Sequence, residues 1–338
     1  MKEVPESIKL IVEELKKVDG LGEKTALKLA NLGINLDRLS VMRPDELAEI
    51  LRKSKKEAQK IILSAENLFI GELKCFDAEE YKKYMKDHVR YISSGSRKLD
   101  ELLGGKGFPS KSLIGLSGPA STGKTQLCYQ VCYEAAKRGF DAVYIETETQ
   151  TFNTARLEEM MRTRGEEVDL TKIHVFPAEK IRNVYSQFRA YKFMDRMARE
   201  KGWDVAVLCV DSFTAKFRKS FIAREMFWDR SIEFGRHFDY LESFAKNHNS
   251  VVLLTCQVAE APDDKKSQGV MMRYRSSYYP TGGHILLHSM SIWISLEQVS
   301  GGRTKMDVYR ATLWDSSYLK SGSITFLITE AGVEDAEL

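Results

Sequence analysis

The sequence predicts an α/β fold: a mostly parallel sheet with antiparallel edge strands forms the core, preceded by a small all-α domain. Three observations predict it. Gly118-Pro119-Ala120-Ser121-Thr122-Gly123-Lys124-Thr125 matches G-x-x-x-x-G-K-[ST] at every fixed position, between a strand-like and a helix-like run. Downstream, apolar strand candidates alternate with amphipathic helical segments, the rhythm of a parallel sheet covered on both faces. Upstream, residues 8–69 carry apolar residues at helical spacing.

Length and composition set the outer bounds. At about 150 residues per domain, 338 residues accommodate one large domain and one small one, and 43% hydrophobic residues support a buried core. No run approaches the ~18 apolar residues of a membrane span. Met1-Lys2-Glu3-Val4-Pro5-Glu6 lacks the apolar centre of a signal peptide, so the chain reads as soluble and intracellular, with no membrane partner. Cys75, Cys128, Cys132, Cys209 and Cys256 form no C-x-x-C pair and read as buried free thiols, with no zinc implied. A net charge of +3 does not by itself argue for nucleic acid; the placement of the charges has to.

The N-terminal domain is expected over residues 1–70. Ile8 to Lys17 reads as a helix, and Gly20-Leu21-Gly22 then separates it from a second helical run through Ala30. This arrangement resembles the helix-hairpin-helix motif, which implies backbone amides approaching a DNA phosphate without regard to base sequence. A second helical pair runs from Arg43-Pro44-Asp45-Glu46-Leu47 through Lys55 to Ile62. Acidic residues nearly offset basic ones in this domain, so a bundle used only for protein contacts is the competing reading. Residues 71–93 are a charged linker, free of Pro/Gly slack and compatible with helix, and the core is expected over 94–338.

Within the core, Lys111 to Ser117 reads as a strand entering the loop and Gln126 to Tyr133 as the helix leaving it. Gly118 and Gly123 let the backbone curl so that its N–H groups point at a phosphate, beside the positive end of the helix. Lys124 is placed to reach the β/γ-phosphates of a nucleoside triphosphate, and the Thr125 hydroxyl to ligand Mg²⁺. Further strands are expected at 141–147, 172–176, 204–210 and 250–256. After Gly283 the candidates 291–298, 305–314 and 323–329 follow one another without helices, which predicts the antiparallel edge.

Polar residues at the strand ends supply the remaining candidates. Asp211 ends the run Val205 to Val210 and is placed for the Mg²⁺ shell. Glu146 and Glu148 follow a strand, and one of them suits the general base that orients an attacking water. Gln257, at the end of Val252 to Cys256, is placed to sense a γ-phosphate and relay its state to the next loop. That loop, Pro262 to Gly283, interleaves Arg273, Tyr274 and Arg275, a composition that suits a single nucleic-acid strand. The stretch after Asp211 carries Lys216, Arg218, Lys219 and Arg224 with Phe217 and Phe221 between them, and reads as a second basic loop.

With these residues in place, the chain resembles the RadA recombinases of archaea and their eukaryotic relatives, within the RecA-like ATPases. The resemblance rests on the Gly-Leu-Gly hairpin, Ser94-Gly95-Ser96, the phosphate loop through Gln126, Tyr144 to Glu148, Asp211-Ser212, Phe217-Arg218, Arg224-Glu225, Gln257-Val258, Gly282-Gly283-His284, Asp315-Ser316 and Ile328 to Asp335. It implies a RecA-like core using ATP and Mg²⁺ and DNA-dependent hydrolysis. It also implies assembly as a filament or ring, and pairing of single-stranded DNA with homologous duplex in recombinational repair, with recombination mediators as further partners. It implies Glu148 as the catalytic base and Gln257 as the coupler of nucleotide to DNA. Arg218 and Arg224 fall in the first DNA loop, and Arg273, Tyr274, Arg275, Gly282 and Gly283 in the second. His288 and Asp315 match positions that close over ATP from the neighbouring subunit, and Phe76 matches an oligomerisation residue. The expected compartment is the archaeal nucleoid region of the cytoplasm, or the eukaryotic nucleus.

Three positions depart from the pattern. Glu79 stands where the linker motif Phe-x-x-Ala has its alanine, Ser316 to Lys320 lacks the proline that packs on adenine, and Thr149-Gln150-Thr151-Phe152 is one residue longer than usual. Glu79 and Lys320 favour a second reading, an accessory paralogue that loads or regulates a recombinase without exchanging strands itself. A translocating helicase of the same fold is disfavoured because His288 and Asp315 stand where an arginine finger is expected in trans.

Overall fold

The computed structural model describes residues 6–72, 75–149, 151–260, 278–280, 282, 284–299 and 307–336. The chain divides into two compact units, Met1–Tyr84 and Met85–Leu338.

The first unit contains α1 (Glu6–Leu15), α2 (Glu23–Asn31), α3 (Leu36–Ser40), α4 (Pro44–Leu51) and α5 (Lys55–Glu72). Their apolar faces share one core that includes Leu15, Leu29, Leu39, Leu47, Ala58 and Ala65. Local chemistry sets the boundaries: Pro44 opens α4, and Ser54 and Glu57 form a reciprocal capping box at the start of α5. The short α3 was not expected from the spacing; it starts at Asn35, whose side chain accepts from the Arg38 amide at 3.1 Å. The linker is helical over α6 (Ala78–His88), capped by Asp77, which accepts from the Glu79 and Glu80 amides at 2.9 Å.

The second unit follows with β1 (Tyr91–Ile92), α7 (Arg97–Leu102), β2 (Phe108–Pro109), β3 (Ser112–Ser117), α8 (Lys124–Lys137), β4 (Asp141–Glu146), α9 (Thr154–Arg164), β5 (Ile173–Phe176), α10 (Val184–Lys201), β6 (Val205–Asp211), α11 (Ala215–Ser220), α12 (Phe227–Asn247) and β7 (Val251–Cys256). After these come β8 (Val258–Glu260), β9 (Tyr278–Pro280), α13 (His284–His288), β10 (Ile292–Val299), β11 (Val308–Ser316), β12 (Gly322–Thr329) and β13 (Gly332–Asp335). Among the described residues, nine strands form one sheet in the order β13-β12-β11-β10-β3-β7-β6-β4-β5. From β10 to β5 every pairing is parallel, and β11, β12 and β13 complete the edge antiparallel, as expected. The edge strand β13 and the small pairs β1–β2 and β8–β9 were not anticipated.

The central strands are buried on both faces, which is why they read as continuous apolar runs. Alternate residues feed two cores. Leu113, Val143, Leu208 and Val252 face the side covered by α10 and α12, while Ile114, Tyr144, Val207 and Leu253 face the side covered by α8. Each such side chain contributes about 1.5–3 kcal/mol by burial. Four of the five cysteines are buried and free, but Cys75, in the segment before α6, is exposed, which corrects the expectation for that position.

Candidate functional site at the strand tips

Strands β3, β7, β6 and β4 lie side by side and parallel, so their C-terminal ends bring the phosphate loop, Gln257, Asp211 and Glu148 to one edge of the sheet. The loop is shaped by its two fixed glycines. A Cβ on Gly118 would sit 2.2 Å from the Leu296 carbonyl oxygen, and Gly123, at φ 90, would press one against Ile328 at 2.6 Å. The Lys124 ammonium donates to the carbonyls of Gly118 at 2.8 Å and Pro119 at 2.6 Å, with Thr122 Oγ1 at 3.4 Å. Burial lowers this ammonium from its ordinary value, and the nearby charges of Asp211 and Glu148 oppose the shift. Ala120 and Ser121 complete the loop's turn, and Ser121 has φ 61.

Asp211 is 4% exposed and accepts three hydroxyls. Thr125 Oγ1 and Tyr144 OH each donate to its Oδ2 at 2.6 Å, and Thr255 donates to Oδ1. Burial and Asp211 push the Tyr144 phenol up, so it stays a donor. Among the described residues no cluster of three His, Cys, Asp or Glu side chains could hold a metal. A Thr125 hydroxyl whose proton is given to Asp211 keeps lone pairs for a cation. That pairing fits Mg²⁺, which retains several waters and takes phosphate oxygens, rather than a metal caged by protein.

The two glutamates separate cleanly. Glu146 is bound to the backbone, accepting from the Phe152 amide at 2.8 Å and the Ala178 amide at 3.4 Å. Glu148 instead accepts from Gln257 Nε2 at 3.1 and 3.2 Å. Gln257 is held in turn: its amide donates to Thr214 Oγ1 at 2.9 Å, and its Oε1 accepts from Arg218 Nη1 at 2.7 Å. The tips therefore carry a continuous Arg218–Gln257–Glu148 chain.

His288 and Asp315 stand at the other end of the sheet. Asp315 pairs with Trp293 at the start of β10, where Ile292 lies beside Ile114 of the parallel β3. The two line one cleft with Lys111 and Ser291, at the strands' N-terminal ends. At about 3.3 Å per residue, the six residues of β3 put about 20 Å between that cleft and the phosphate loop.

A family model described as Rad51 matches residues 85–336. The chain belongs to the Rad51 family. A second model, the SAM-like helix-hairpin-helix tandem, matches residues 12–67. Rad51-family membership makes the second unit a RecA-like recombinase core, of a family that in general uses ATP and Mg²⁺, hydrolyses ATP in response to DNA and forms filaments on it. No helix among the described residues is long and apolar enough to cross a membrane.

In this Rad51-family core the stretch after Asp211 differs from the basic loop expected from its charges. It folds as α11, and Phe217 and Phe221 are buried, Phe217 stacking on Phe234 at 4.0 Å between ring centres. Phe213, Phe217 and Phe221 recur every fourth residue, a helical apolar face that was present in the sequence. These rings are therefore not available for base stacking. Arg224 opens a single 3-10 turn, Arg224–Met226. Gly282 lies in a turn, where a Cβ would meet Leu286 at 2.7 Å. Arg273, Tyr274, Arg275 and Gly283 lie outside the described residues. Phe76 precedes the cap of α6 and stacks on Tyr84 at 5.0 Å, with Tyr81 at 6.5 Å, as a hydrophobic staple does.

One further residue was missed. Arg156, on α9, donates to Gln126 Oε1 at 2.9 Å and to the Thr329 carbonyl, and with Tyr309 and Ile328 it lines a cleft whose other wall is the phosphate loop, Ser121 to Thr125. Nothing in its local sequence marks it; the folding of β12 against α9 brings it there.

Proposed function

We propose that this chain is an ATP-dependent recombinase that assembles on single-stranded DNA, through copies of itself, and exchanges strands with homologous duplex. The observation that carries the reading is the Arg218–Gln257–Glu148 chain, because it joins a basic element to a carboxylate beside the phosphate loop. A DNA phosphate that draws Arg218 away from Gln257 frees that amide to change its grip on Glu148. Occupancy of the DNA site is thereby linked to hydrolysis.

In this reading, loop amides and the N-terminus of α8 hold the phosphates, and Lys124 balances their charge. Thr125 and Asp211 would hold Mg²⁺, which would supply positive charge to offset that of the phosphates. Glu148 accepts a proton from the attacking water as a bond forms to the γ-phosphorus, and ADP leaves as the bridging bond breaks. The cleft beside Arg156 and Tyr309 suits the base. His288 and Asp315 lie too far along the sheet to reach the same chain's phosphate loop, so we assign them to a neighbour's nucleotide. The hairpin at Gly20-Leu21-Gly22 would take a duplex phosphate, and the compartment would be that of the cell's DNA.

The accessory-paralogue reading draws on α6. Glu79 is exposed and paired with Lys82 at 3.6 Å, and the Phe76 ring is folded against its own helix. Phosphate release from ATP, measured with and without single-stranded DNA, tests the proposal. A recombinase hydrolyses faster on DNA; a rate indifferent to DNA would refute the coupling.

A further inference from the structure

Phe217 and Phe221 are buried, but the same stretch carries two rings that are not. Phe227 and Trp228, in the first turn of α12, are 43% and 75% exposed, and Ile222 and Ile232, on either side of them in sequence, are exposed as well. Trp228 and Ile232 stand four residues apart, on the face of α12 turned away from the buried Phe234, His237 and Leu241. A cluster of large apolar side chains left in water marks a surface that a partner covers.

Place and charge identify that partner. β6 and β7 are parallel and α12 connects them, so its first turn stands at the end of the sheet that holds Gln257 and the phosphate loop. α11 packs on α12 through Phe217 and Phe234, 4.0 Å between ring centres, and exposes Arg218 and Lys219. Arg230 lies over the Phe227 ring at 4.4 Å, and its Nε has no hydrogen-bond partner among the described residues. From Lys216 to Arg236, six basic residues stand against three acidic ones. Open aromatic faces among excess cations fit a single nucleic-acid strand, whose bases are free to stack while its phosphates are neutralised. Two copies meeting through this face would set like charge against like charge.

We propose that Trp228, with Phe227 beside it, is a base-stacking platform for single-stranded DNA. The inference deepens the proposed function and rests on its claim that the chain binds single strands. It gives the basic element that touches Gln257 through Arg218 an aromatic neighbour that reads bases rather than phosphates.

The test follows tryptophan emission of the full chain with a non-hydrolysable ATP analogue, titrated with oligo-dT or with an abasic oligonucleotide of equal length. Trp228 is the exposed one of the four tryptophans, Trp293 being buried and Trp203 and Trp314 partly so. Oligo-dT should therefore quench the emission, and the abasic strand should leave it nearly unchanged. In parallel, anisotropy of labelled strands measures affinity. Trp228→Ala is expected to weaken oligo-dT binding about tenfold, and Trp228→Phe to recover most of the loss. Neither variant should alter binding of the abasic strand or the salt slope for oligo-dT. Equal quenching by both strands, an Ala variant that binds oligo-dT as tightly as the unaltered chain, or an equal loss on both strands would each overturn the inference. A change in emission on adding the analogue before any DNA would assign the patch to contact between copies, and would overturn it too. In each of these cases the unaltered chain still binds single strands and the proposed function stands; an unaltered chain that binds neither strand would refute that function.

Discussion

Gln257 spans the carboxylate of Glu148, its Nε2 lying 3.1 and 3.2 Å from the two oxygens, while its own Oε1 accepts from Arg218 at 2.7 Å. A neutral amide in this position holds a charged base without neutralising it. Gln257→Ala is therefore expected to reduce DNA-stimulated hydrolysis to the DNA-free rate while nucleotide binding persists. Phosphate release with increasing oligo-dT measures this, and stimulation that survives the substitution would remove Gln257 from the coupling.

Glu146 and Glu148 should respond differently to the same change. Glu148→Gln keeps the shape but loses the base, and should cost about 10²–10⁴-fold in hydrolysis while ATP still binds. Glu146→Gln weakens the acceptor for the Phe152 and Ala178 amides, and should lower stability by about 1–2 kcal/mol with a smaller effect on rate. Denaturant unfolding beside single-turnover hydrolysis separates the two.

Much of this arrangement was legible in the sequence, for physical reasons. Strands buried on both faces announce themselves as apolar runs, so β3, β4, β6 and β7 were expected within a residue or two of their ends. The phosphate loop has a fixed spacing because backbone geometry demands it. What was not legible depends on distant packing. Which glutamate is free could not be read from Ile145-Glu146-Thr147-Glu148, because the amides that claim Glu146 belong to Phe152 and Ala178. Arg156 reaches the site only through tertiary contact with Gln126 and β12. The error at Phe217 and Phe221 arose from reading charge before periodicity.

Lys124 makes nucleotide binding sensitive to alkaline pH. Burial lowers its ammonium, so its proton leaves at a lower pH than that of an exposed lysine. Affinity for ATP should therefore begin to fall earlier on the alkaline side than an ordinary lysine would give. Lys124→Arg, which stays charged, should flatten that limb; fluorescence titration with an ATP analogue across pH measures both.

His237 makes stability sensitive to acid. It is fully buried among Phe188, Tyr191, Phe213 and Phe217, and burial lowers its value from 6.5 to about 3. The unfolded chain binds a proton there below its ordinary value, whereas the folded chain does not. Stability is therefore intact above about pH 6.5 and falls as pH drops from there toward about 3. Between pH 7 and pH 5 the loss should be about 2 kcal/mol, and His237→Phe should remove most of that slope in urea unfolding.

The most direct measurement of the central claim, ATP-dependent assembly on DNA, is negative-stain microscopy of the full chain with single-stranded DNA. It should be run with a non-hydrolysable ATP analogue, with ADP, and with Lys124→Ala as a control. Helical filaments with the analogue, sparse or absent with ADP and with the Lys124 variant, are the predicted result. Bare DNA beside rings, dimers or dispersed protein under all three conditions would contradict the recombinase reading and favour the accessory one.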